Sequence, residues 1–172
     1  MIVVADTSPL NYLVLIAEVQ LLPSLYDGVL IPEEVHRELQ RVQTPLGVRE
    51  WAANLPAWCE VRVVAPTSDQ ALSELDPGER DAIQLALDAK IDTVLMDEMR
   101  GRREVLRRQL RVTGTVAVLE KAAQRGLLDF RDALERLSTT NFRLSSAIRA
   151  QFLKRNPDPA QPGAATRQRS SK

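Results

Sequence analysis

The chain has 172 residues, 44% apolar and 27% charged, proportions of a soluble globular domain able to bury its own core. Its formal net charge is zero, which excludes a global pull toward nucleic acid and leaves any basic surface to be local. One cysteine, Cys59, and one histidine, His36, exclude an internal disulfide and a zinc site built on cysteine or histidine.

"MIVVADTSPL" opens with an apolar run, Ile2 to Ala5, that reads as a strand ending on Asp6, Thr7 and Ser8. The opening lacks a basic segment and does not read as a signal peptide. No apolar stretch approaches the length of about 20 residues that spans a bilayer, so the expectation is a cytoplasmic protein without membrane contact. Leu10 to Leu25 reads as two short apolar helices, suited to core packing or to a homodimer face. "GVLIP", Gly28 to Pro32, is a second strand whose proline opens the helix of "PEEVHRELQRV". That helix carries acids in its first turn and basic residues later, the sense favoured by the helix dipole. Residues 45–58 read as helix with loop ends, and "VRVV", Val61 to Val64, as a third strand.

"ELDPGERDAIQLALDAK" holds the clearest helix start, with Asp76 as N-cap, Pro77 in the first helical position and Glu79 as capping-box acid. "TVLM" is a fourth strand ending on Asp97. A basic helix follows, then "LRVTGT" as a fifth strand, and helices over Val116–Arg125, Phe130–Leu137 and Ser145–Lys154. Residues 1–154 are expected to form the domain and residues 155–172, rich in proline and small polar residues, a disordered polar tail. Alternating strands and helices predict an α/β/α sandwich with a central, mostly parallel sheet of about five strands. Ligands of such sheets bind beyond the strand C-termini where strand order reverses, and both Asp6 and Asp97 end strands.

Each acid has a plain and a functional reading. Asp6 can cap the next helix, although Thr7 and Ser8 are equally able to. Asp97 can likewise cap, and Glu38, late in its helix, can be a solvated acid. Asp81 sits at the border of the stripe Ala82, Leu85, Ala86 and Ala89, whereas the capping box accounts for Glu79. Taken together, carboxylates without cysteine or histidine make a site for a hard cation, Mg²⁺ or Mn²⁺, able to assist phosphodiester hydrolysis. "RGRREVLRRQLR" places Arg100, Arg102, Arg103, Arg107, Arg108 and Arg111 after Asp97, a solvated basic face or a phosphate contact, with Arg103 and Arg107 one helical turn apart. Thr113 and Thr115, at the fifth strand's exit, can cap a helix or orient a water.

"DTS" after a strand, "PEEVHREL", "GERDAIQLA" and "VLMDE", with "LIPEEV", "DEMRGR" and "VTGTVAVL", resemble in order and placement the PIN domain. They are most similar to its branch of VapC-type toxins of toxin–antitoxin pairs, over residues 2–153. The resemblance implies a metal-dependent ribonuclease site, with RNA as substrate and an antitoxin protein as partner. It puts the catalytic acids on Asp6, Glu38, Asp81 and Asp97, with Asp6, Asp81 and Asp97 on the metal. Thr7 or Ser8 takes the supporting hydroxyl, Glu98 stands as an additional acid, and Arg102, Arg103 and Arg107 face the RNA. A further aspartate or asparagine, frequent in these nucleases after the fourth strand, has only Glu98 in its place. A haloacid-dehalogenase-like phosphatase would need an acid where Ser8 stands, and a receiver domain needs paired first-strand acids and a last-strand lysine. No glycine-rich P-loop is present. The remaining competitor is a PIN-like module that binds RNA or a protein without cutting.

Overall fold

The structure is a computed structural model and describes residues 1–157. Five parallel strands form one sheet in the order β3-β2-β1-β4-β5: β1 (Ile2–Ala5), β2 (Gly28–Pro32), β3 (Cys59–Arg62), β4 (Thr93–Leu95) and β5 (Arg111–Thr113). Strand order reverses beside β1, which pairs with β2 from Ile2 against Gly28 and with β4 from Val4 against Val94. One crevice therefore opens at the C-terminal ends of β1 and β4.

The central strands β1, β2 and β4 are mainly apolar because helices cover both faces, whereas the edge strands β3 and β5 carry Glu60, Arg62 and Arg111. Val3, Ala5, Val29, Ile31 and Leu95 join a core with α1 (Thr7–Leu15), α2 (Leu21–Leu25), α3 (Glu33–Leu39), α4 (Leu46–Ala53), α8 (Thr115–Gln124) and α9 (Phe130–Ser138). The intervening residues Val4, Val94 and Met96 point to the other face. There they meet Leu72 of α5 (Gln70–Ser73), Ile83 and Ala86 of α6 (Pro77–Asp88) and Val105 of α7 (Met99–Arg107). The period-two alternation of the strands thus sets up the three layers.

The apolar stretch from Leu10 to Leu25 goes into the chain's own core: Leu10, Leu13, Ile16, Val19, Leu21, Leu22 and Leu25 are all buried. That accounts for its hydrophobicity without a second copy. Cys59 is buried, and burial pushes its thiol up to about 12, leaving it an inert apolar filler. His36 Nε2 sits 2.9 Å from the Ala52 carbonyl and ties α3 to α4.

Four elements differ from the sequence expectation. The third strand starts two residues earlier, at Cys59, where it pairs with Val29. The expected helix over 45–58 is confined to α4, because Pro56 breaks it. A short helix, α5, capped by Asp69 accepting from Ala71 N–H at 2.9 Å, had no sequence expectation. The last helix, α10 (Ser146–Arg155), runs one residue past the expected domain end, and the rest of the expected tail from residue 158 lies outside the described residues. Among the described residues no helix is long and apolar enough to cross a membrane.

Candidate functional site

Asp6 stands at the N-cap of α1, yet its side chain accepts no capping hydrogen bond. Its backbone N–H donates to Leu95 O at 2.9 Å, which fastens the end of β1 to β4. The carboxyl is buried, and burial is the main reason its pKa rises from 3.8 to about 8. The Thr7 N–H eases that shift, and the charges of Glu79, Glu38 and Asp97 add to it. The acid that opens the chain is therefore not spent on capping.

Glu38 reaches the same place from the last turn of α3. The Thr7 hydroxyl donates to Glu38 Oε2, and the Arg41 guanidinium stands 3.7 Å from Oε1. Across from it, α6 begins with a glycine. A Cβ on Gly78 would lie 2.7 Å from Glu38 Oε2, so a bare backbone here leaves room for the Glu38 carboxylate in its present position.

Glu79 follows Gly78 and lines this cleft, together with Asp6, Thr7, Ser8, Glu38, Arg41 and Glu98. One carboxylate oxygen closes the helix start, accepting from Asp76 N–H at 3.2 Å. The other, Oε1, is buried with no hydrogen-bond partner. Burial raises the Glu79 pKa, with Asp76 and Glu98 adding repulsion against the relief from the Asp76 N–H and Arg100.

Asp97, two residues beyond β4, does not cap the helix that follows it. Glu98 does, accepting from Met99 N–H at 3.2 Å. Asp97 instead holds the start of α8, accepting from Thr115 N–H at 2.7 Å and from Thr115 Oγ1 at 2.6 Å. Burial pushes its pKa up, and the two Thr115 bonds pull it back. A Cβ on Gly114 would come within 3.0 Å of Asp97 Oδ1, so this contact also depends on a bare backbone. Ser8 and Glu98 line both the Asp6 side of the cleft and its Asp97 side.

Asp6, Glu38 and Asp97 are thus gathered at the expected edge, but Asp81 is not among them. It lies on α6 against Arg80, 2.8 Å from Nε, and does not line the cleft. Glu79 lines the cleft where Asp81 does not, for a geometric reason. Residues two positions apart on a helix differ by about 200°, so when Glu79 joins the buried stripe with Ala82, Ile83 and Ala86, Asp81 must turn away. The spacing 79, 82, 83, 86 was in the sequence; the capping-box role of Glu79 hid it.

The arginines are dispersed. Arg102 turns inward, donating from Nη1 to Met96 O at 2.9 Å behind Asp97. Arg103 and Arg107 are exposed on α7, which starts at the cleft and runs back along the sheet, and neither lines the cleft. Arg107 pairs with Glu104 at 3.3 Å, Arg108 with Glu104 and Asp69, and Arg111 with Asp92 at the far edge. Thr113 acts through its backbone, accepting from Met96 N–H at 2.9 Å, and lines neither part of the cleft. Sequence reading missed Glu79, and also Arg41, Tyr12, Asn141 and Arg143, which line the cleft from segments far apart in the chain.

The carboxylate set has the donor chemistry that a hard divalent cation takes. It offers only oxygen atoms, and no ion pair among the described residues neutralises Asp6, Glu79 or Asp97. The orphaned Oε1 of Glu79 asks for a proton or a cation. Among the described residues no three His, Cys, Asp or Glu side chains are already drawn together in a metal-holding group. The acids are brought to one cleft while each leans on its own segment.

The all-parallel sheet between two layers of helices, with carboxylates at its switch point, is a PIN-like α/β sandwich. The chain belongs to the PIN-domain family: a family model described as a PIN domain matches residues 2–157. PIN domains are generally nucleases that act on RNA or other nucleic acid and use divalent metals. No curated protein and no solved structure matches the chain.

Proposed function

We propose that this protein is a metal-dependent endoribonuclease, with Asp6, Glu38, Glu79 and Asp97 as the acids that would hold Mg²⁺ or Mn²⁺. The observation that carries this reading is Asp6: a buried carboxyl without an ion-pair partner, repelled by three further acids. Like charges gathered at that cost are expected where a cation is to be held. When bound, such a cation supplies Lewis acidity toward a phosphoryl oxygen and lowers the pKa of water.

The chain's own residues have separate tasks. Asp6 and Asp97, at the ends of neighbouring strands, form the rigid part of the site. Thr115 holds the Asp97 carboxylate in one orientation through two hydrogen bonds. Thr7 gives the Glu38 carboxylate one hydrogen bond, and Glu38 would accept a proton from an attacking water. Ser8, on the wall shared by both parts of the cleft, would orient that water or the phosphate. The resemblance to VapC-type toxins adds a cytoplasmic setting and an antitoxin protein as the expected partner.

The test is cleavage of single-stranded RNA by the full chain. Mn²⁺ or Mg²⁺ should support cutting, chelator should stop it, and Asp6→Asn should remain folded but inactive. RNA bound equally well in chelator and never cut would overturn the nuclease reading in favour of a binding module.

A further inference from the structure

The cleft does not end at the carboxylates. Past Ser8 and Glu98 it continues into a second lobe of about 410 Å³, lined by Tyr12, Asp97, Asn141, Phe142 and Arg143. Its chemistry differs from that of the acidic lobe. Tyr12 and Phe142 pack edge to face, with ring centroids 4.9 Å apart and planes at 88°. Arg143 is exposed and forms no ion pair with any described residue, although Asp97 and Glu98 face the same lobe. The Asn141 amide is exposed and makes no hydrogen bond to another described residue.

These three residues sit on the connection between α9 and α10, and that connection is held in place. Thr140 Oγ1 donates to Leu137 O at 2.7 Å and accepts from Phe142 N–H at 3.1 Å. Phe142 is half-buried against the core. Core packing accounts for Phe142 and for part of Tyr12. It does not account for an unpaired guanidinium and a free amide placed on either side of Phe142, at the rim of an acidic cleft. A π surface, an amide that both donates and accepts, and a planar cation are the groups that recognise a base, its edge and a phosphate.

We propose that the second lobe is a nucleotide subsite, in which Arg143 takes the phosphate neighbouring the bond to be cut and the base lies against Tyr12 with the Asn141 amide at its edge. This deepens the ribonuclease reading and rests on it. It also moves phosphate contact from Arg103 and Arg107, which the fold carries away from the cleft, to an arginine the sequence reading passed over.

Binding of a short fluorescent single-stranded RNA to the full chain tests it, in chelator and then in Ca²⁺, across a salt series. Arg143→Ala should weaken binding several-fold and reduce the salt slope by about 0.7, the value for one phosphate on a single strand. Tyr12→Leu should cost about tenfold, the size of one lost stacking contact, and Tyr12→Phe should retain binding. The double variant Arg103→Ala, Arg107→Ala should bind as the parent does. If Tyr12→Leu does not fold, Arg143→Ala decides alone, since its side chain is exposed. Unchanged affinity and salt slope in Arg143→Ala, or a parent protein that binds no RNA in either condition, overturns the subsite. Mn²⁺-dependent cleavage on the same proteins scores the nuclease reading separately. Arg143-dependent binding without cutting would leave the subsite and remove the nuclease. Cutting with KM unchanged in Arg143→Ala would do the reverse.

Discussion

Replacing Asp6 with asparagine should make the metal-free protein more stable while removing its activity. The folded chain holds the Asp6 proton up to a pKa of about 8, against 3.8 for an unperturbed aspartate. Between those values the native state binds more protons than the unfolded state, so stability falls as pH rises through that window and the loss is complete above it. At pH 7 the window has been crossed for roughly three units, and at about 1.4 kcal/mol per unit the ceiling is about 4 kcal/mol. Asparagine has no proton to lose, so burying it carries no such penalty at any pH. Urea unfolding in chelator should show the parent weakening from pH 5 to pH 8 and Asp6→Asn weakening much less. A gap of about 2 kcal/mol or more at pH 7.5 is expected. Mn²⁺ should then stabilise the parent and leave the variant nearly unchanged. Parallel pH profiles for the two proteins would refute the idea that Asp6 is kept in an unfavourable setting for the sake of a cation.

Glu79→Gln should lower cleavage by about a hundredfold or more, whereas Asp81→Asn should stay within about threefold, both read as kcat/KM on one RNA. Equal losses would return Asp81 to the site. Thr115→Val removes a buried hydroxyl donor from Asp97 and should cost about 1–3 kcal/mol in urea unfolding, with lower activity at unchanged RNA affinity. Gly78→Ala puts a methyl group where the tip of the Glu38 side chain now lies, so the carboxylate should swing aside while stability changes by less than about 1 kcal/mol in urea unfolding. Mn²⁺ uptake by that variant, followed by titration calorimetry, should weaken.

The centre of the sheet was legible because β1, β2 and β4 are short, mainly apolar runs. Val3 and Val4 alternate between two cores with no polar face to confuse the pattern. Asp6 and Asp97 were legible for the same reason: each ends such a run. Glu79 was not, because its capping-box position supplied a sufficient local explanation, and a local motif does not reveal which face of the helix meets the next layer. The basic run misled in a complementary way. Six arginines in twelve positions look like a patch, but a helix distributes them around its circumference and along its axis. Arg102, Arg107, Arg108 and Arg111 each found a partner within the chain. Arg143 carried no pattern at all; only the connection from α9 brings it to Asp97.

Glu79 serves two masters through two oxygen atoms. One closes the opening turn of α6, while its twin is buried without a mate, so whatever changes the carboxylate's surroundings tugs on the helix as well. Cation loading should therefore register in amide hydrogen exchange, as slower deuterium uptake at the α6 entrance and none at its far end. The entrance of one helix becomes a built-in reporter of whether the cleft is occupied.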